Sequence, residues 1–293
     1  MSGTQRVLVV GSGAMGAQIA LVAALAGHQV ALHDIEVASL ARAERELRER
    51  MARQIVKGRR TPEEVGEAFA RLHFATELPA VTDVDLVVEA VVEKLDVKRE
   101  LFAELDRLCP ERTILASNSS SFVPSAMAAA TTRPDRFCNL HFFNPALVMK
   151  CVEVVSGPET SPETLATAVG FVERIGKLPV VLEKEIPGFV ANRIVNAVRD
   201  EAIRLLEGGY ASVEAIDTAC RTALGYPMGP FELMDLTGID IGFLTKQARY
   251  AETGDPADAP SATVRALVEA GHLGRKTGRG FYTYDQQHEQ GDD

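Results

Sequence analysis

The sequence predicts an α/β fold, with a doubly wound, mostly parallel sheet over residues 1–185 followed by an all-α region over 186–293. Three observations predict it. Short apolar runs alternate with helical patterns through the first part, as in a sheet covered on both faces. A glycine-rich turn joins the first run to the first helix. Beyond about residue 185 the strand-like runs cease and helical periodicity takes over.

The elements follow in order. "RVLVV" (6–10) is a buried strand, and "AMGAQIALVAALAG" (14–27) is an alanine-rich helix stopped by glycine. "QVALHD" (29–34) is a second strand. Residues 37–58 form a charged helix with Glu and Arg at helical spacing, ending at Gly58. "TPEEVGEAFARL" (61–72) carries Thr, Pro and two glutamates at its start, the signature of a helix N-terminus. "DVDLVVEAV" (83–91) is a strand, "VKRELFAELDRL" (97–108) an amphipathic helix, and "TILAS" (113–117) a strand leading into "NSSS". A helix over 158–176 and a strand over 178–185 complete the sheet. Pro187 is then expected to open a long helix that Gly208 and Gly209 close. Helices over 212–224 and 261–271 follow, and "QQHEQGDD" reads as a disordered tail.

A formal net charge of −10 argues against nucleic-acid or anionic-membrane partners, which need clustered cations. No apolar run approaches the ~20 residues of a membrane helix. The four cysteines, 109, 138, 151 and 220, lack metal-binding spacing and read as buried free thiols, so no metal is expected. A strand beginning almost at once leaves no room for a signal peptide, which predicts a cytoplasmic protein.

The turn "VLVVGSGAMGAQIA" has Gly11-x-Gly13-x-x-Gly16 directly between strand and helix, the context that makes a Rossmann-type dinucleotide loop. Gly11, Ser12, Gly13, Ala14, Met15 and Gly16 would meet the pyrophosphate at the positive end of the helix. Asp34 ends the second strand eighteen positions after Gly16, where a carboxylate meets ribose hydroxyls and repels a 2′-phosphate. NAD is therefore expected rather than NADP.

His141 and Glu153 stand twelve positions apart in otherwise apolar sequence, "HFFNPALVMKCVEVV". Alternation puts Phe137, Asn139, His141 and Phe143 on one face, and Cys151, Glu153 and Val155 on one side of the next strand. With a turn at Asn144–Pro145 the two ionisable groups face each other. They form either a structural hydrogen bond or an acid–base pair in which Glu153 fixes the tautomer and His141 removes a hydroxyl proton. The "SNSSS" loop (117–121) lies at the carboxyl end of a strand, where a serine can hold a substrate oxygen or simply fill a polar loop. Asn192 either bonds within the core or points at a substrate carbonyl.

Together, "VVGSGAMGAQIA", "LVVEAVVEKLDVKRELF", "ASNSSS", "RPDRFCNLHFFNP", "VMKCVEVV", "IPGFVANRI", "GYPMGPFELMDLTGID" and "GRKTGRGFY" resemble the L-3-hydroxyacyl-CoA dehydrogenase family, particularly its short bacterial 3-hydroxybutyryl-CoA members, over nearly the whole chain. The resemblance implies NAD-dependent interconversion of a (3S)-3-hydroxyacyl-CoA and its 3-oxoacyl-CoA. In it His141 is the base, Glu153 its partner, Ser120 a donor to the reacting oxygen and Asn192 a substrate contact. It implies Glu93, Lys98, Asn118, Ser120, Asn144 and Lys276 around the cofactor, and Lys57 at the CoA phosphates. Arg50 and Arg53 share nearly the same helix face as Lys57. A homodimer through the helical region is implied as well. Leu147 stands where the family usually has proline, Ser119 where it has threonine, and Lys94 where asparagine is common. The rival expectations are a dehydrogenase of a free hydroxy acid, of the L-gulonate or carnitine type, and a non-catalytic NAD sensor.

Overall fold

Strands in the middle of a two-faced sheet must bury both faces, and those of the N-terminal part do so residue by residue. Val7 and Val9 belong to one apolar cluster, Leu8 and Val10 to the other. Leu86 and Val88 alternate with Val87 in the same way, and Ile114 and Ala116 with Leu115. Each such Val, Leu or Ile side chain, fully buried, contributes about 1.5–3 kcal/mol, which is why these runs show no polar alternation. The structure, a computed structural model, describes residues 5–284. The tail "QQHEQGDD" lies outside the described residues.

The first unit, which ends at Val190, runs β1 (Arg6–Val10), α1 (Ala14–Leu25), β2 (Gln29–His33), α2 (Val37–Val56), α3 (Pro62–Ala70), β3 (Leu72–Ala75), β4 (Leu86–Glu89), α4 (Leu95–Leu108), β5 (Ile114–Ser117), α5 (Pro124–Ala128), β6 (Phe137–Phe142), β7 (Cys151–Ser156), α6 (Pro162–Arg174) and β8 (Leu178–Leu182). The sheet order is β3-β2-β1-β4-β5-β6-β7-β8. Every neighbouring pair is parallel except β6 with β7. The sheet order reverses between β1 and β4, so the carboxyl ends there open a ligand crevice.

Two expectations are corrected. Leu72, read as the end of a helix, opens β3, a four-residue strand too short to announce itself by periodicity. Phe143 lies one residue past the end of β6, with its ring beside that of His141. Pro187 does not open the long helix, which begins at Ala191. Gly188 and Phe189 adopt φ of 78° and 48°, left-handed values that no helix passes through. The Phe189 ring is fully buried against Val155 and Leu182, and this anchors the turn.

The second unit begins at Ala191. It comprises α7 (Ala191–Glu207), α8 (Val213–Ala223), α9 (Pro230–Thr237), α10 (Ile239–Thr253) and α11 (Ala262–Glu269). Its core gathers Ala202, Ile203, Ile216, Phe231, Met234, Ile239 and Val264. Two buried acids hold pairs of backbone amides, one pair at a helix start and one in a bend. Asp217 accepts from the Phe231 and Glu232 amides at the start of α9, both at 3.0 Å. Asp235 accepts from the Phe281 and Tyr282 amides at 2.9 Å. Among the described residues no helix is long and apolar enough to cross a membrane.

Candidate active site

The glycine loop is shaped by three different constraints. Gly11 has φ of 102°, and a Cβ there would sit 2.5 Å from the Ala90 carbonyl oxygen. A Cβ on Gly16 would meet the Gly11 carbonyl oxygen at 1.9 Å. At Gly13 an added Cβ meets nothing within 4 Å, so this position borders open space. Gly13 is the N-cap of α1 and its carbonyl takes the Ala17 amide at 3.0 Å. The amides of Ala14, Met15 and Gly16 therefore have no partner within the helix.

Asp34 closes the loop from the end of β2. Its Oδ2 accepts from the Ser12 amide at 2.8 Å and the Ser12 hydroxyl at 2.7 Å, and Oδ1 from the Glu36 amide at 3.0 Å. Burial pushes the carboxyl pKa up, but these donors outweigh it and hold the group below its ordinary value. Three donors fill three of its roughly four lone-pair directions, leaving one for a hydroxyl. Open space over Gly13, inward-facing amides and a fixed carboxylate together fit a dinucleotide with an unphosphorylated ribose.

The antiparallel pair β6–β7 brings His141 directly opposite Glu153. Nδ1 of His141 lies 2.8 Å from Oε2 of Glu153, with His141 only 5% exposed. A carboxylate can only accept, so the proton sits on Nδ1 and Nε2 keeps a lone pair. The rings of Phe143 and Phe189 stand 4.5 and 5.4 Å from the imidazole, walling it with apolar surface. The other Glu153 oxygen accepts the Val190 amide at 2.9 Å.

Around Ser120, which is exposed, the serine loop is tied down from below. Asn118 Oδ1 accepts the Phe142 amide at 2.9 Å, linking the loop to the end of β6. Glu93 accepts from the Ser119 hydroxyl and, at 3.1 Å, from the Ser121 amide. Burial raises the Glu93 pKa, yet Ser119 and the Lys98 charge prevail and keep it low. Lys98, expected at the cofactor, is 1% exposed, with Nζ 2.6 Å from Glu89 and 3.1 Å from Glu93. Sequence reasoning missed Glu89 altogether, since an acid at the end of "LVVE" looks like the first solvated residue after a strand. It is fully buried.

The remaining expected residues are spread more widely. Asn144 is exposed in the β6–β7 connection. In the same connection Leu147 gives its amide to Gln18 Oε1 at 3.2 Å, a bond that proline could not make. Lys177, also missed, donates to the Ala146 and Met149 carbonyls, both at 2.7 Å. Arg50 lies on α2 about one turn before Arg53, and Arg53 in the last turn and Lys57 at the C-cap stand at a helix end that favours cations. Asn192, half-buried on the first turn of α7, and Lys276 belong to the second unit. Nζ of Lys276 is held by the Asp240 carboxylate at 2.6 and 2.7 Å.

Against known proteins, the family model described as "3-hydroxyacyl-CoA dehydrogenase, NAD binding domain" matches residues 6–186, and that described as "3-hydroxyacyl-CoA dehydrogenase, C-terminal domain" matches 188–284. The chain belongs to the 3-hydroxyacyl-CoA dehydrogenase family. It is 44% identical to the mitochondrial hydroxyacyl-coenzyme A dehydrogenase of Homo sapiens, over 96% of this chain and 91% of that one. It is 38% identical to a probable 3-hydroxybutyryl-CoA dehydrogenase of Bacillus subtilis (strain 168), over 97% and 98%. The crystal structure of (S)-3-hydroxybutyryl-CoA dehydrogenase PaaH1 from Ralstonia eutropha superimposes with a TM-score of 0.89 at 37% identity, covering 97% of this chain and all of that one. As a 3-hydroxyacyl-CoA dehydrogenase the chain is an NAD-dependent oxidoreductase, and its first unit carries the NAD-binding domain.

Proposed function

We propose that this dehydrogenase interconverts (3S)-3-hydroxybutyryl-CoA and acetoacetyl-CoA, with His141 as general base. The observation that carries the reading is the 2.8 Å His141–Glu153 bond in an apolar-walled site, which leaves Nε2 able to take a proton. NAD, when bound, supplies the hydride acceptor. His141 Nε2 removes the hydroxyl proton, and the Glu153 carboxylate faces the positive charge that develops on the ring. Ser120 donates to the substrate oxygen, and Asn192 contacts the reacting end of the substrate. Gly11 to Gly16 and Asp34 hold the cofactor's pyrophosphate and ribose, with Glu93, Asn118, Asn144 and Lys276 around its other half. Arg50, Arg53 and Lys57 meet the CoA phosphates, a cationic helix end for a polyanion.

Two further readings accompany it. Exposed Ile194, Tyr210, Leu224, Ile241 and Leu244 favour a homodimer through the second unit, since a second copy would remove this apolar surface from water. Burial raises the Cys109 and Cys138 thiol pKa values to about 11 and about 12, and all four cysteines are free, which suits the reducing cytoplasm.

The test is turnover of acetoacetyl-CoA against free acetoacetate, followed by NADH absorbance. A strong preference for the thioester supports the assignment. Equal rates would transfer it to the free-acid class, and NADH binding with no turnover of any 3-oxoacyl-CoA would leave a sensor.

A further inference from the structure

The buried pair Glu89–Lys98 has no counterpart in the mechanism above, and its cost demands a reason. Glu89 is 0% exposed and its carboxylate takes three donors. Oε1 accepts from Lys98 Nζ at 2.6 Å and from the Val91 amide at 2.7 Å, and Oε2 from the Ser117 hydroxyl at 2.6 Å. Burying two charges is rarely repaid in stability against an apolar pair of the same volume. What the pair does supply is geometry.

The bonds run outward in two directions. Toward the glycine loop, Glu89 pins Val91 and with it Ala90, the residue against which Gly11 and Gly16 are packed. Toward the serine loop, Ser117 spends its only proton on Glu89, so its hydroxyl oxygen must accept, and it takes the Ser119 amide at 3.1 Å. The Glu89 carbonyl also accepts the Asn118 amide at 2.8 Å. Lys98 then reaches Glu93, which takes the Ser119 hydroxyl and the Ser121 amide. The chain of bonds closes around Ser120.

We propose that Glu89 is a positioning residue: through Lys98, Ser117 and Glu93 it sets the shape of the 117–121 loop relative to the glycine loop. The inference rests on the reading that the 117–121 loop borders the cofactor.

Three variants of the full chain test it, with thermal melting and fluorescence titration of NADH as readouts. Ser117→Ala leaves the ion pair intact and removes only the relay. It is expected to raise the NADH Kd about five- to tenfold, one hydrogen bond's worth, with a modest fall in Tm because a buried carboxylate oxygen loses its donor. Glu89→Gln leaves the Lys98 charge only the Glu93 carboxylate at 3.1 Å and should lower Tm. Adding Lys98→Met to it removes that charge, so Tm is expected to recover while the NADH Kd stays at least about fivefold high. An NADH Kd equal to the wild type in Ser117→Ala, or restored together with Tm in the double variant, overturns the proposal. Because NADH alone is the probe, failure of the acyl-CoA substrate reading would show only in the turnover assay and leaves this result readable.

Discussion

The Val190 amide donates to Oε1 of Glu153 at 2.9 Å, while Oε2 of the same carboxylate holds Nδ1 of His141 at 2.8 Å. The acid is thus gripped from both sides, and its angle to the imidazole is set by the backbone of the Gly188–Phe189 turn. Glu153→Gln keeps the shape and an acceptor for Val190, but turns an N–H₂ toward the ring. The ring must then carry its proton on Nε2, where the substrate's proton should go. Turnover is expected to fall by a factor on the order of 10²–10⁴. Steady-state kinetics with a parallel melting curve checks this, and near-normal turnover would remove Glu153 from the mechanism.

Removing the imidazole itself separates chemistry from cofactor binding. His141→Ala is expected to lower kcat on the order of 10²–10⁴-fold while the NADH Kd stays within about a factor of two, because the glycine loop lies on other strands. Single-turnover absorbance and fluorescence titration give the two numbers.

Gly16 and Gly13 should respond differently to the same methyl group. Gly16→Ala drives a Cβ to 1.9 Å from the Gly11 carbonyl oxygen and should cost about 1–3 kcal/mol or more of stability. Gly13→Ala meets no protein atom within 4 Å, so the melting temperature should hold. Its NADH Kd should instead rise about tenfold or more, ~1.4 kcal/mol, as the methyl takes the pyrophosphate's space. A Gly13→Ala chain with unchanged affinity would mean that the dinucleotide passes elsewhere.

Acid should weaken the cofactor cradle. Asp34 and Glu93 both sit below their ordinary carboxylate values in the folded chain. Their contribution is complete above the unfolded-state values, about 4, and is lost as pH falls through the lower folded values. Urea unfolding from about pH 7 down to about pH 3 should show that decline. Asp34→Asn, which cannot titrate, should flatten part of it; an acid limb as steep as the wild type's would contradict the assignment.

Most of the first unit was legible because its signals are local. Buried strand centres such as Val7–Val10 and Leu86–Val88 must be apolar throughout, and Gly11 and Gly16 are forced by steric clashes that any side chain would create. The His141–Glu153 contact was legible too, since two alternating runs on either side of a turn at Asn144–Pro145 let the two groups face each other once the chain folds back. Glu89–Lys98 was not. Lys98 sits in "VKRELFAELDRL", whose charges read as a solvated helix face, and only the fold of α4 back over the end of β4 sinks it. Pro187 misled for a related reason. Proline favours the first turn of a helix, but Gly188 and Phe189 spend their conformations on a turn that buries the Phe189 ring beside His141.

The single antiparallel pairing in the sheet, β6 with β7, has a consequence beyond register. A parallel neighbour would be reached only through a crossover of a dozen or more residues, usually helical. Here base and carboxylate are joined by eleven intervening residues, a span whose closure costs little entropy. The proton-handling unit is therefore a self-contained peptide segment. It can acquire its contact early in folding, before the long-range ladder on either side is complete.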